Sequence, residues 1–320
     1  MLILGHDDVL AALGPEHCAE AMAEILAAHA RGEALMPLRS TIRFEGAAGF
    51  MATMPAWRGG PEPVFSLKSL CIMPGNPARG LDSHQGTVTL FDGTTGAPMA
   101  ILDASAVTAV RTAAVSAVAT RVLAREDARV LAVLGAGVQG RAHLTALRAV
   151  RPFREIRVFA PNEAHARAVA GDTATVSKTA EEAVRGADVV VTATTSSEPV
   201  LRRHWLAPGA HVNAVGASVP SARELDVETV VESALFCDSR ESLRAEAGEY
   251  RLAVEQGAID ADGLVRGSLG EVLAGLAPGR RGPDELTVFR SLGLAVEDLA
   301  AALHAVAAAQ RLGLGVEVAL

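Results

Sequence analysis

Aromatic residues are scarce in this 320-residue chain, with Phe, Trp and Tyr together making only 3% of it. So few rings exclude a stacking platform for single-stranded nucleic acid. Positive charge is also short: 29 Lys and Arg stand against 37 Asp and Glu, a net charge of −8. Phosphate neutralisation needs clustered cations, so a general nucleic-acid binder is excluded. The three cysteines, Cys18, Cys71 and Cys237, lie far apart with no CxxC pair. That spacing argues against a disulfide framework or a zinc site, and no metal is expected; a reducing cytoplasm fits. No apolar run approaches the roughly 20 residues that cross a bilayer. The start, Met1-Leu2-Ile3-Leu4-Gly5-His6-Asp7-Asp8, has no basic region and meets acid at once, unlike a signal peptide. The expectation is a cytoplasmic protein with no membrane and no nucleic-acid partner.

What is abundant is Ala, Val and Leu: half of the chain is hydrophobic. Length alone suggests two domains, at roughly 100–200 residues each. The first third shows a helical pattern over 9–31, then short strand-like pieces at 39–44, 49–54, 64–72, 86–92 and 98–102. Strands without intervening helices suggest an antiparallel sheet. A helical pattern follows from 104 to 125. The middle alternates instead: strands at 129–134, 155–159, 175–176, 188–193, 211–216 and 235–238, with helical segments between the earlier ones. That rhythm implies βαβ units and a doubly wound parallel sheet, an α/β fold. A last helix is expected over 295–311.

Gly135-Ala136-Gly137-Val138-Gln139-Gly140 follows the first strand of this middle region and opens a helix. In that context a GxGxxG loop is a dinucleotide fingerprint. Gly135 permits the tight turn, Gly137 the approach of a pyrophosphate, and Gly140 close helix–strand packing. The helix N-terminus offers free N–H groups and positive potential to phosphate. The acid that selects a free ribose 2′-hydroxyl should close the second strand, but the sequence there reads Phe159-Ala160-Pro161-Asn162-Glu163. No cation stands at 160–164 for a 2′-phosphate. Asn162 can bond either ribose, and His165 and Arg167 read as an exposed helix face. NAD(H) and NADP(H) both stay open, with Glu163 favouring NAD(H).

A set of ordered motifs then carries a resemblance over nearly the whole chain. They are Met36-Pro37-Leu38-Arg39-Ser40, Ser66-Leu67-Lys68, Ser83-His84-Gln85-Gly86, Thr108-Ala109-Val110-Arg111-Thr112-Ala113-Ala114-Val115-Ser116-Ala117, Leu134-Gly135-Ala136-Gly137-Val138-Gln139, His211-Val212-Asn213-Ala214-Val215-Gly216-Ala217, and Phe289-Arg290-Ser291-Leu292-Gly293-Leu294-Ala295-Val296-Glu297-Asp298. The chain resembles the ornithine cyclodeaminase/mu-crystallin family, nearest to its ketimine- and imine-reductase branch. The resemblance implies a homodimer. It also implies a Rossmann domain, residues 112–296, inserted into a discontinuous α+β substrate-binding and dimerisation domain, residues 1–111 plus 297–320. It implies NAD(P)-dependent chemistry on a small imino or amino acid.

By the same resemblance, Arg39, Lys68 and Arg111 match the basic residues that hold the substrate carboxylate and serve catalysis. The chemistry agrees. Arg offers planar paired donors to a carboxylate, and a lysine among cations in low dielectric can exchange its proton. Taken alone, Arg39 and Arg111 would read as solvated charges. His84 is a candidate proton donor or a structural histidine. Arg111, Thr112, Gly135, Gly137, Val138, Gln139, Asn162, Ser218, Ser291 and Leu292 are the expected cofactor contacts. For Ser291 helix capping is the alternative, and for Ser218 a plain loop serine. Ser218 stands where ornithine-cyclising members carry Asp, so the base that cyclisation needs is missing. The implied activity is reduction of an α-imino acid, reversible as an amino-acid dehydrogenase. The alternatives are an ornithine cyclodeaminase and a non-catalytic, crystallin-like binder of NAD(P).

Overall fold

The computed structural model describes residues 1–260 and 263–319. Two compact units emerge, residues 1–111 with 293–320 and residues 112–292. The chain leaves the first unit within the helix Ala104–Leu123 and returns at Gly293, four residues before the 297 expected from sequence.

The first unit is a sheet with helices on one face. Its strands are β1 (Leu2–Leu4), β2 (Ala34–Leu35), β3 (Ser40–Ile42), β4 (Phe50–Arg58), β5 (Val64–Ile72), β6 (His84–Asp92) and β7 (Pro98–Asp103). They lie in the order β1-β7-β6-β5-β4, with β2 and β3 both on the far edge of β4. The antiparallel pairing expected for the strands between residues 39 and 102 holds from β3 to β7, while β1, a strand outside that expectation, runs parallel to β7. Three residues give too short an alternation to be read from sequence. The single helical pattern at 9–31 is two helices, His6–Ala12 and Pro15–Ala30. Gly14 and Pro15 separate them, because Pro is tolerated only in a first turn. In the second of these helices Cys18, Met22, Ile25 and Leu26 recur at helical spacing and are buried. The helix Ala295–Leu312 packs on it and on β4, β5 and β6. Gly313 ends that helix in the left-handed conformation, φ +67°.

The second unit holds β8 (Val130–Leu134), β9 (Glu155–Phe159), β10 (Thr175–Val176), β11 (Val189–Thr192), β12 (His211–Ala214), β13 (Ala234–Cys237), β14 (Val265–Ser268) and β15 (Thr287–Arg290). A last short strand, β16 (Val316–Glu317), pairs with β1 in the first unit. The order in the second sheet is β10-β9-β8-β11-β12-β15-β13-β14, and every pairing is parallel. Strands β8, β11, β12, β13 and β15 are buried almost throughout, as a sheet covered on both faces requires. The order reverses between β8 and β11, and ligands of such sheets bind beyond the strand ends at that reversal.

The helix Ala104–Leu123 reaches 20 residues and is apolar enough to cross a membrane by length and composition, against the expectation that no run comes near. Its most apolar window is 78% buried inside the fold, and its small, close-packing residues account for both properties.

Candidate functional site

In the first unit the site is built around Lys68. Alternate residues of β5 face the helices, so Ser66, Lys68 and Leu70 point inward while Phe65 and Leu67 do not. Lys68 lies between Met54 on β4 and Val88 on β6, both buried, and is itself only 2% exposed. A lysine there needs a partner. Its Nζ stands 2.7 Å from Asp298 Oδ2 and 3.4 Å from Thr108 Oγ1. Burial, with Arg111 and Arg39 nearby, lowers its pKa from the usual lysine range to about 8, and Asp298 opposes that shift.

Arg111 is 4% exposed. Its Nε donates to Asp298 Oδ1 at 2.9 Å and its Nη1 to Glu297 Oε2 at 2.8 Å. Both acids lie in the first turn of Ala295–Leu312, where the helix dipole favours negative charge. Burial alone would raise the Asp298 pKa; Lys68 and Arg111 outweigh it and hold the carboxyl below the ordinary range. Arg39, half-buried, donates from Nη2 to the Gly293 carbonyl at 3.1 Å. His84 opens β6, and its Nδ1 is 3.1 Å from Ser83 Oγ. Desolvation and then Lys68, with Arg111 and Arg39 behind it, lower the His84 pKa against the opposing charge of Asp82. The structure thus brings Arg39, Lys68, Arg111 and His84 together, and adds two carboxylates.

In the second unit the glycine loop leaves β8 at the reversal of strand order. Gly135 has φ +121°, and a Cβ there would meet the Ala193 carbonyl, just past β11, at 2.2 Å. A Cβ on Gly140 would meet the Gly135 carbonyl at the same distance. Gly137 differs: nothing stands within 4 Å of its Cβ position. It precedes the helix Val138–Val150, and no side chain caps that end. An open cradle at a helix N-terminus that no side chain caps is chemistry suited to a pyrophosphate. Val138 and Gln139 form the first turn of this helix. Thr112 is buried, and its Oγ1 has no hydrogen-bond partner among the described residues.

The remaining sequence candidates lie in the second unit. Asn162 caps the helix Glu163–Ala170 by accepting from the His165 amide at 3.2 Å. Glu163, the acid that favoured NAD(H), pairs with Arg167 at 2.5 Å on the same exposed helix. Ser218 is half-buried in the loop after β12. Ser291 follows β15, is buried, and does not cap the last helix, whose N-cap is Leu294. The Leu292 amide donates to Asp238 Oδ2 at 2.5 Å.

Five residues with structural weight had no role in the sequence reading: Glu297, Asp298, Glu224, Arg290 and Asp238. Glu224, fully buried, accepts from Thr192 Oγ1, the Thr194 amide and hydroxyl, and the Gly216 amide at 2.6–2.9 Å. It ties together the loops that leave β11 and β12. Arg290 pairs with Glu249 and donates to the carbonyls of Ala214, Ala217 and Ser291. The available signal was a charge inside an apolar run, as in Ala295-Val296-Glu297-Asp298-Leu299-Ala300, which is rarely buried without a partner.

Residues 2–310 match the profile of the ornithine cyclodeaminase/mu-crystallin family. The ketimine reductase mu-crystallin of Mus musculus is 40% identical over 275 residues, covering 85% of this chain and 84% of that protein. The structure of Thermococcus litoralis Δ1-pyrroline-2-carboxylate reductase, in complex with NADH and L-proline, superposes with a TM-score of 0.93 at 34% identity, over 99% of this chain and 100% of that one. The iminosuccinate reductase of Paracoccus denitrificans, in complex with NAD+, gives a TM-score of 0.91 at 29% identity, over 100% of this chain and 99% of that one.

Proposed function

The chain belongs to the ornithine cyclodeaminase/mu-crystallin family, and from that premise we propose that it is an NAD(P)H-dependent reductase of α-imino acids. The observation that carries this reading is the cationic cluster of an acidic protein, buried Lys68 and Arg111 with half-buried Arg39. An α-imino acid carries a carboxylate beside its C=N bond. Arg39 and Arg111 hold that carboxylate through paired donors. Lys68, with a pKa of about 8, is mostly protonated at neutral pH and gives its proton to the imine nitrogen. His84 is held below the ordinary histidine value, so it is neutral at pH 7; it hydrogen-bonds the substrate and leaves protonation to Lys68.

The loop Gly135–Gln139 fits a dinucleotide by its open cradle at Gly137 and its uncapped helix end. Its backbone would hold the pyrophosphate, with Thr112, Ser218, Ser291 and Leu292 as the further contacts. When bound, the nicotinamide supplies the hydride. We favour NAD(H): Arg167, on the helix that follows β9, is paired with Glu163 and offers a 2′-phosphate little. The first unit binds substrate and the second the dinucleotide.

The working form is a homodimer. The face of the first sheet turned away from its helices carries Trp57, Phe65 and Phe91 in one row and Pro55, Leu67, Thr89, Ile101 and Ile3 in the next. An apolar sheet face of that breadth suits burial against a second copy.

Candidate substrates are Δ1-pyrroline-2-carboxylate, Δ1-piperideine-2-carboxylate and iminosuccinate, with the reverse reaction an amino-acid dehydrogenation. The test is a panel of these imines with NADH and NADPH. Consumption of reduced cofactor supports the reading. Ammonia release from ornithine without net cofactor change would replace it with a lyase, and inertness throughout with a binding protein.

A further inference from the structure

We propose that Asp298 is the positioning residue that keeps Lys68 protonated and aimed for proton transfer, while fixing Arg111 with its other oxygen. This rests on the imine-reductase reading for its purpose, but not for its test.

The geometry is specific. One carboxylate oxygen faces Lys68 at 2.7 Å and the other faces Arg111 Nε at 2.9 Å. Asp298 is 1% exposed, so water does not screen it. It is presented by the first turn of a long helix packed on β5, the strand that carries Lys68. The groups facing Lys68 can be named from each side. Met54 and Val88 flank it on the sheet. Thr108 approaches from the helix Ala104–Leu123. Arg111 and Arg39 repel its charge. His84 lies within electrostatic reach. Glu297 faces Arg111 rather than Lys68. Among the described residues, Asp298 alone forms an ion pair with Lys68. Without that carboxylate, burial and two arginines would strip the ammonium of its proton near neutral pH.

Composition makes the test direct. The chain has two lysines, Lys68 and Lys178. Protein labelled with 13C-lysine therefore gives two side-chain signals, and Lys178 is the internal reference. The 13Cε shift of Lys68 is titrated in wild type and in Asp298→Asn. Asparagine keeps the shape and can still accept from Arg111, and a thermal melt of each variant checks that it is folded before titration. Wild type is expected to titrate near pH 8. In Asp298→Asn the midpoint falls by about one unit or more, a tenfold or greater loss of protonation at a fixed alkaline pH. Asp298→Glu, which retains the charge, returns the midpoint towards wild type. Coincident titrations in wild type and Asp298→Asn overturn the proposal. No turnover enters this measurement, so an inert wild-type enzyme defeats the reductase reading and leaves this result standing or falling alone. If wild type does reduce an imine, the alkaline limb of kcat/KM in Asp298→Asn moves to lower pH with the NADH KM unchanged. A limb that stays in place, with only kcat reduced, assigns Asp298 a structural role and also overturns the proposal.

Discussion

Gly293 and Arg111 are fitted to one another: a Cβ on Gly293 would stand 2.7 Å from both terminal nitrogens of the Arg111 guanidinium. The guanidinium cannot simply swing aside, because Glu297 and Asp298 hold it. Gly293 also has φ +80°, which an L side chain adopts at a cost of about 1 kcal/mol. Gly293→Ala is therefore expected to raise the imino-acid KM about tenfold or more while NADH affinity stays within a factor of two or so. Steady-state kinetics with each substrate varied in turn checks it. An unchanged imino-acid KM would remove Arg111 from carboxylate binding.

Lys68→Ala is expected to lower turnover about 100- to 10,000-fold, the usual worth of a positioned acid. NADH binding, followed by fluorescence, should persist. Turnover near the wild-type rate would take Lys68 out of the mechanism.

The reductive kcat/KM should be level below pH 8 and fall above it, about tenfold per unit, because the lysine pKa is about 8 and its protonated form is the donor. Oxidation of the amino acid should show the mirror dependence and rise towards alkaline pH. A reductive rate that climbs through pH 8 would contradict the assigned proton donor.

The glycine loop separates folding from binding. Gly137→Ala adds a methyl to open space at φ −84°, so the melting temperature should hold while the NADH Kd rises about tenfold or more. Gly135→Ala drives a methyl against the Ala193 carbonyl at a positive φ, so stability and binding should fall together. Calorimetry and cofactor titration on both variants distinguish the two effects. Equal affinity in Gly137→Ala and wild type would contradict the pyrophosphate assignment.

Acid should loosen the second unit before carboxylates titrate. His143 is fully buried, with Nδ1 donating to the Gln139 carbonyl at 2.8 Å and Nε2 accepting from Ser116 Oγ at 2.9 Å. Burial lowers its pKa to about 4. His211 falls to about 3, through burial and then Arg280. The unfolded chain binds these protons near pH 6.5 and the folded protein does not. Stability is therefore retained above 6.5 and lost as pH falls towards 4, by about 1.4 kcal/mol per unit per histidine. His143→Gln should reduce that slope in melts between pH 7 and 5; an unaltered slope would contradict it.

Much of this is legible in the amino-acid sequence alone. Strands such as Val130–Leu134 and Val189–Thr192 are continuous apolar runs, because a parallel sheet covered on both faces asks for nothing else. The glycine loop announced itself by following one of them. Strands β1, β2, β14, β15 and β16 are not legible in sequence: β1, β2 and β16 are only two or three residues long, and β14 and β15 carry arginines that find partners only after folding. Of the site, the cations were legible through their motifs. Asp298 and Glu297 were not, because their meaning depends on which side chains the folded helix meets, 187 and 186 residues away from Arg111.

The central claim is reduction of a carboxylated imine, and incubation of the wild-type protein with Δ1-piperideine-2-carboxylate or Δ1-pyrroline-2-carboxylate and NADH tests it most directly. Stoichiometric loss of NADH absorbance with formation of L-pipecolate or L-proline is the expected result. No NADH consumption with either ring, with iminosuccinate or with a linear imino acid would contradict the account.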